Sequence, residues 1–248
     1  MKYSNLRYHY TGIDAVINIL SEKRIRLTFC KNLHDQTEGE YLLQKLENDS
    51  NEYKEIYNAL VSNFFVASFC MCDDNKHLWD HYGDVNIGFD FEGMKSDLHF
   101  VSDECGTTHA TSGVTFRNCE YTSPEDETYK EVLDYAKNKL DAIDFSDILS
   151  QQCAYLSCSP CFFLKPQKYE VENECRIVSH LWKKEPFVFK ANKEDVKYVE
   201  YHFNTDRVKS ITIGPSPQKE VYRNKVEEFL KNSQEYKHID ILESSCDI

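Results

Sequence analysis

Long apolar runs are missing from this sequence. No stretch approaches the roughly 18 apolar residues that a membrane-spanning helix needs, and no charged-then-apolar signal segment stands at the start. The sequence also has no P-loop, no glycine fingerprint for dinucleotides, no HExxH and no G-x-S-x-G, which excludes several common reaction classes. We therefore expect a cytoplasmic protein without a membrane partner.

Basic residues are scarce. The chain has 29 Lys and Arg against 42 Asp and Glu, a formal net charge of −13. This charge disfavours binding of nucleic acid through an extended basic surface, although it does not exclude a local basic groove. Hydrophobic residues make up 41% of the 248 positions, so the chain is not of a disordered type. Its length predicts one domain over residues 1–248, with a helical insertion at about residues 124–150.

The chain has ten cysteines. In a reducing compartment they are expected to be buried small hydrophobes or free thiols. Cys70 and Cys72, together with the Cys158-x-x-Cys161 pair, could in principle supply four thiolates to zinc. Their apolar surroundings favour buried thiols, and whether Cys158 and Cys161 bind a metal stays open.

Strand-like and helix-like segments alternate irregularly along the chain. The runs RIRLT, NFFVASFCM, NIGFDF, KYVEYHF and VKSITIGP predict strands, the second of them buried and central. Helical spacing predicts helices at about residues 40–62, from Pro124 onward, and over KEVYRNKVEEFLKN. Without a regular βαβ period, this mixture predicts an α+β fold.

The opening stretch YHYTGIDAVINIL predicts a strand, a turn at Gly12 and an amphipathic helix. Alternation along the strand puts His9 and Thr11 on one face and Tyr10 on the other. The two polar side chains could form a hydrogen-bonding platform. Taken alone, His9 is equally explained as a half-buried structural histidine.

A second polar pattern lies late in the chain, in EVENECRIV. Strict alternation predicts a strand with Glu172, Glu174 and Arg176 on one face. Such a face is either a solvated edge or ion-pair ladder, or a carboxylate oriented by its arginine. In the second case the carboxylate would stabilise positive charge at a reacting sugar or act as a base.

Two further groups are weaker candidates. Trp79, His81 and Tyr82 form either a packed aromatic corner or part of a binding site. Asp35 and Glu38 stand in a polar loop, where solvated or capping roles are common.

Four blocks of the sequence resemble a bacterial family that is known as domain-of-unknown-function family 2971. These blocks are Tyr8 to Leu20, LHDQTEGE, LWDHYGDVNIGFDF and YEVENECRIV, and they occur in the expected order over nearly the whole chain.

The opening strand and helix also resemble ADP-ribosyltransferases with a histidine-tyrosine-glutamate triad, including DNA-modifying toxins of the DarT type. This resemblance implies a split, mixed or antiparallel sheet flanked by helices, with NAD as substrate. It implies that His9 binds ribose hydroxyls beside Thr11. It also implies that Glu174, or alternatively Glu172, engages the nicotinamide ribose, with Arg176 orienting it.

Within this resemblance, an aromatic ring from Tyr82 or Trp79, in the group that includes His81, would stack on nicotinamide. The acceptor would be an unidentified protein, nucleic acid or small molecule, in a bacterial defence or toxin setting, with a neutralising or regulatory protein as a further partner. Two other functions stay open. One is a non-catalytic module that binds a nucleotide or protein, and the other is a metal-dependent nuclease that uses Asp35, Glu38, Glu172 and Glu174.

Overall fold

The structure of the chain is a computed structural model, and it describes residues 5–33, 41, 64–102, 108–110, 113–144, 147, 159–180, 190–191 and 196–247. Within these residues the fold is α+β, with one large mixed sheet and helices packed on it, which confirms the predicted class.

The strands are short, and those of the described residues are β1 (Leu6–Thr11), β2 (Arg24–Phe29), β3 (Phe64–Cys70), β4 (Val85–Asp90), β5 (Phe100–Ser102), β6 (Thr108–Ala110), β7 (Val114–Asn118), β8 (Glu120–Thr122), β9 (Leu164–Pro166), β10 (Glu174–His180), β11 (Lys190–Ala191), β12 (Lys197–His202), β13 (Val208–Ile213) and β14 (Asp240–Glu243). The α-helices are α1 (Ile13–Glu22), α2 (Lys76–Tyr82), α3 (Phe91–Ser96), α4 (Glu127–Asp141) and α5 (Lys219–Asn232). Short 3₁₀ turns connect several of these elements, and one of them, Gln167–Glu172, leads into β10.

The main sheet branches at β3. One edge of β3 pairs with β10 along its whole length, from Phe64 to Cys70. The other edge pairs with β1 only at Cys70 and with β2 only at Phe65 and Val66. The strands β1 and β2 therefore diverge from one edge of β3 and leave a gap between them. This is the split sheet that the sequence resemblance implied.

Helix α1 connects the two diverging strands. Val16 and Leu20 lie one helical turn apart and are fully buried in the main core, where each contributes about 1.5–3 kcal/mol of burial free energy. The helix ends at Glu22, because Lys23 adopts a left-handed conformation and donates its amide to Ile19. α1 thus fixes the positions of β1 and β2 on either side of the gap.

Most of the predicted strands are present, including the buried central run, which is β3. The prediction for EVENECRIV is wrong in its first half. Residues up to Glu172 form a 3₁₀ turn, and Asn173 has a positive φ of 47°, so strand β10 begins only at Glu174. A local turn therefore replaces the strand pairing that strict alternation suggested, and Val171 is exposed to solvent.

The helix predicted from Pro124 is present as α4, and its inner side packs on a cluster with Phe64 and Phe162. The helix predicted at residues 40–62 lies outside the described residues, apart from Tyr41. None of the helices in the described part of the chain has the length and apolarity that a membrane crossing requires.

Candidate active site

A cavity of about 230 Å³ lies in the gap where β1 and β2 diverge from β3. Its walls are formed by the strands around the gap, by α2 and by the turn before β10. The lining residues that carry chemistry are His9, Arg26, Tyr82, Glu172 and Glu174. The structure therefore brings an early histidine and two late glutamates to one cavity, although more than 160 residues separate them in sequence.

His9 is held across the gap by a backbone group. Its Nδ1 atom lies 2.9 Å from the carbonyl oxygen of Ser68 in β3. Because a carbonyl oxygen can only accept, Nδ1 carries the hydrogen, and Nε2 of the neutral ring is an acceptor. The surrounding strands desolvate the ring and lower the pKa of His9, although the hydrogen bond to Ser68 opposes this shift. His9 is therefore neutral near pH 7.

A second cavity of about 370 Å³ adjoins the first. It lies above α1, between β1 and β2, and it shares His9 and Arg26 with the first cavity. Thr11 lines this second cavity, as does Arg24, whose guanidinium is 2.5 Å from Glu200. His9 and Thr11 thus share a face of β1, as predicted, and this face lines the second cavity.

Glu174 is buried, with 4% of its surface exposed, and it is held by two cations. Arg176 binds it with two nitrogens, Nε at 2.7 Å from Oε1 and Nη2 at 3.1 Å from Oε2. Nζ of Lys165 lies 2.6 Å from the same Oε2. Arg176 is itself fully buried behind Glu174 and also donates to the carbonyl oxygen of Phe162 at 2.7 Å. The predicted pairing of Glu174 with Arg176 on one strand face is therefore present.

Glu172 reaches the same cluster from the 3₁₀ turn. Its Oε2 lies 2.6 Å from Nζ of Lys165, so one ammonium bridges the two carboxylates. Both glutamates line the cavity, whereas Arg176 and Lys165 stand behind them. The cluster is buried, which removes the solvated-edge alternative for these residues.

The charge of Glu174 is set by these neighbours. Burial alone would raise the pKa of this carboxyl, but Arg176 and Lys165 outweigh burial and lower the pKa to about 2. Glu174 therefore stays ionised at neutral pH. A carboxylate of such low basicity is suited to stabilising positive charge in the cavity and is poorly suited to accepting a proton.

The three aromatic candidates of helix α2 have different environments. Tyr82 is 49% exposed and lines the first cavity. Trp79 packs on Tyr10 with ring centroids 4.4 Å apart and donates its indole N–H to Asp74 at 2.8 Å, away from the cavity wall. His81 is exposed, and its Nδ1 donates to the carbonyl oxygen of His77 at 2.7 Å. Of these three residues, the cavity wall includes Tyr82 alone.

Sequence reasoning missed three residues of the site. Lys165 stands in the run CFFLKPQKYEV, where its spacing does not mark it as a site residue. The hydroxyl of Tyr121 accepts a hydrogen bond from the backbone N–H of Glu174 at 2.6 Å and so fixes the start of β10. Arg26 alternates with Arg24 and Thr28 along β2, a pattern that could have indicated a polar face.

Metal-ligating groups are not concentrated here. Among the described residues, no group of three or more His, Cys, Asp or Glu side chains could hold a metal ion. Asp35, Glu38 and Cys158 lie outside the described residues, so a nuclease centre that includes them and a zinc site at Cys158 stay untested. Cys70 and Cys161 are buried cysteines, and Cys72 is partly buried.

Comparison with known proteins gives weak matches. No family model matches the chain, so membership of family 2971 is not shown. No curated protein matches it either. Among solved structures, the chain is similar to Thermus sp. 2.9 DarT in complex with ADP-ribosylated single-stranded DNA, with 10% identity, 96% of this chain and 93% of that chain covered, and a TM-score of 0.35.

Two related structures give similar values. Thermus sp. 2.9 DarT in complex with carba-NAD+ matches with 9% identity, 96% and 95% coverage and a TM-score of 0.33. Thermosipho africanus DarTG in complex with ADP-ribose matches with 11% identity, 96% of this chain and 50% of that chain, and a TM-score of 0.33. At these identities and TM-scores, the matches settle neither the site nor the activity of this chain.

Proposed function

We propose that this chain is an ADP-ribosyltransferase that uses NAD to modify a macromolecular acceptor, in a setting of bacterial defence or as a toxin. The observation that supports this proposal is that His9 and Glu174 line one cavity in the gap of a split sheet. A cytoplasmic location and a neutralising protein partner belong to the same proposal.

The chemistry follows from the charge of the site. When the bond between ribose and nicotinamide breaks, positive oxocarbenium-like charge develops on the ribose, as in glycoside hydrolysis. Glu174 is already ionised and held rigidly by Arg176, so it stabilises this charge without reorganising. The acceptor then bonds to the ribose carbon, nicotinamide leaves with the electron pair of the broken bond, and the acceptor loses a proton to solvent.

Two other side chains supply binding groups in this proposal. Nε2 of neutral His9 is an acceptor for a ribose hydroxyl. The exposed ring of Tyr82 offers a face on which a cationic nicotinamide can stack. Glu172 shares Lys165 with Glu174 and is the second carboxylate that the cavity presents.

The decisive experiment measures nicotinamide release and transfer of label from NAD. The purified chain is incubated with NAD labelled in the adenine moiety and with protein, single-stranded DNA, RNA or water as the acceptor. We expect release with wild type, and a drop of about 10²- to 10³-fold in Glu174→Gln.

Glu170→Gln is the matched control, since Glu170 is exposed in the turn that precedes β10. Its activity should equal that of wild type. A folded wild-type protein that releases no nicotinamide and labels none of the four acceptors would rule out the enzyme.

A non-catalytic module that binds NAD or another nucleotide is the second candidate. Arg176 and Lys165 already make three hydrogen bonds to Glu174. This candidate is favoured because a carboxylate with so many partners is typical of a structural ion-pair network. In that case the chain binds NAD in calorimetry but releases no nicotinamide, and Glu174→Gln leaves the cellular phenotype intact.

A further inference from the structure

Lys165 is a deeply enclosed cation that touches both glutamates of the cavity. It lies in β9 with 1% of its surface exposed, and Nζ is 2.6 Å from one oxygen of Glu172 and 2.6 Å from one oxygen of Glu174. The ring of Tyr169 is 5.0 Å from the same Nζ. A lysine is almost never buried so completely unless it is paired, and here it is paired twice.

The contacts of Lys165 couple the two carboxylates to each other. Each of the two oxygens is 2.6 Å from one nitrogen, so the oxygens are at most twice that distance apart. Two carboxylates so close together repel strongly when they are buried, and one of them would then tend to hold a proton. With Arg176 on Glu174, the two glutamates and the two cations form a cluster without net charge.

We propose that Lys165 is a positioning residue, whose ammonium holds Glu172 and Glu174 together at the end of the cavity and keeps Glu174 ionised. This inference rests on the proposed function, because it assigns Lys165 a role in the same reaction. Lys165 does not line the cavity, so it acts through the two carboxylates and does not contact the substrate.

The elements around Glu174 contribute different groups to its electrostatic environment. Glu172 is on the preceding turn, and Arg176 is on the same strand. Cys70 on β3 packs nearby, with its thiol 3.2 Å from the carbonyl oxygen of Glu172, and Tyr121 on β8 contacts the backbone of Glu174. Burial raises the pKa of the Cys70 thiol to about 12, so it is neutral. Among the described residues, removing Lys165 leaves Arg176 as the cation in contact with the Glu174 carboxylate, while His9 and Arg26 line the same cavity.

The test compares Lys165→Met and Lys165→Arg with wild type over pH 5 to 9, with nicotinamide release as the readout. We expect kcat of Lys165→Met to fall about 10- to 100-fold at pH 6 and to recover as the pH rises, because Glu174 loses one of the cations that lower its pKa. The dissociation constant for NAD should change less than threefold, and Lys165→Arg should restore most of kcat.

Lys168→Met is the matched control, since Lys168 is exposed on the turn next to Lys165, and it should behave as wild type. A kcat loss in Lys165→Met of the same size at every pH would indicate a merely structural role and would overturn the proposal. An unchanged kcat would overturn it too. If Lys165→Met does not fold, Lys165→Gln takes its place, and it should show the same loss of kcat at pH 6 and the same recovery as the pH rises.

A readout without NAD separates this inference from the proposed function. Carbon-13 NMR of glutamate carboxyls in the ligand-free protein should show one titration moved to higher pH in Lys165→Met and not in Lys168→Met. If wild type releases no nicotinamide, the proposed function fails, and this titration alone decides whether Lys165 keeps Glu174 ionised. No change in any carboxyl titration would overturn the inference.

Discussion

The Nδ1 atom of His9 donates a hydrogen bond of 2.9 Å to the carbonyl oxygen of Ser68, across the gap that opens between β1 and β2. Ser68 lies on the part of the β3 edge that neither diverging strand pairs with. The imidazole thus satisfies a backbone acceptor that the split leaves open, and this contact fixes the tautomer of the ring. His9 thus binds the backbone of β3 through Nδ1, and Nε2, on the opposite side of the ring, is the acceptor nitrogen.

Tyr82 is expected to contribute to NAD binding through its ring. Removing a ring that stacks on a cation costs about 0.5–2 kcal/mol, so Tyr82→Ala should raise the dissociation constant for NAD about 3- to 30-fold, whereas Tyr82→Phe should keep it near that of wild type. Isothermal calorimetry measures both. Tyr135→Ala, which removes a similarly exposed ring on α4, is the control. Equal affinities of all three variants would remove Tyr82 from the site.

Gly83 is expected to be essential for the position of α2. Its φ is 136°, and a Cβ at this position would overlap the carbonyl carbon of Thr11 and lie 2.7 Å from the amide nitrogen of Gly12. Gly83→Ala should therefore lower the free energy of unfolding by more than about 1 kcal/mol. Gly12→Ala is the comparison, since a Cβ there meets nothing within 4 Å, and its effect should stay within about 1 kcal/mol. Urea denaturation distinguishes the two, and an equal loss in both would contradict the argument.

His180 should make the protein less stable in mild acid. Burial lowers the pKa of His180 to about 4, so the folded state binds fewer protons than the unfolded chain. Stability is therefore complete above the ordinary histidine pKa of about 6.5 and is lost as the pH falls towards 4, by about 2 kcal/mol between pH 7.5 and pH 5.

The variant His180→Gln should show a flatter dependence of unfolding free energy on pH over that interval. His81→Gln, at an exposed histidine of α2, should keep the wild-type slope. Thermal denaturation at a series of pH values provides the measurement. A wild-type slope in His180→Gln would show that other groups cause the acid sensitivity.

Asp74 should couple the C-terminal segment to α2. Its carboxylate accepts hydrogen bonds from Nε1 of Trp79 at 2.8 Å, from the backbone N–H of Ser245 at 2.7 Å and from the hydroxyl of Ser244. Burial alone would raise the pKa of Asp74, but these hydrogen bonds hold it well below its usual range. Asp74→Ala should lower the free energy of unfolding by about 2–4 kcal/mol.

A double-mutant cycle tests this coupling. The hydroxyls of Ser244 and Ser245 both donate to the Asp74 carboxylate, the second at 2.6 Å, and Ser244→Ala combined with Ser245→Ala removes them. Together with Asp74→Ala, the total loss of unfolding free energy should be smaller than the sum of the separate losses by at least about 0.5 kcal/mol. Strict additivity in urea denaturation would mean that the C-terminal segment and α2 are independent.

Much of the fold is predictable because the residues of most elements show the apolar runs or the spacing that are typical of a strand or a helix. The run Phe64 to Cys70 is apolar throughout and forms the central strand, and Val16 with Leu20 marks the buried side of α1. The late pattern EVENECRIV shows the limit of alternation, because a positive φ at Asn173 interrupts it. Nothing in residue spacing reveals that turn, since asparagine is only one of several residues that adopt it.

The sequence by itself determined the class of fold, the strand that carries His9 and Thr11, and the shared strand face of Glu174 and Arg176, since each of these depends on residues two to four positions apart. Only the tertiary structure decided that His9 and Glu174 line one cavity, that Glu172 joins them from a turn, and that Lys165 bridges the two glutamates. The physical reason is that β3 is the shared neighbour of β1, β2 and β10, and pairing between strands distant in sequence leaves no periodic trace along the chain.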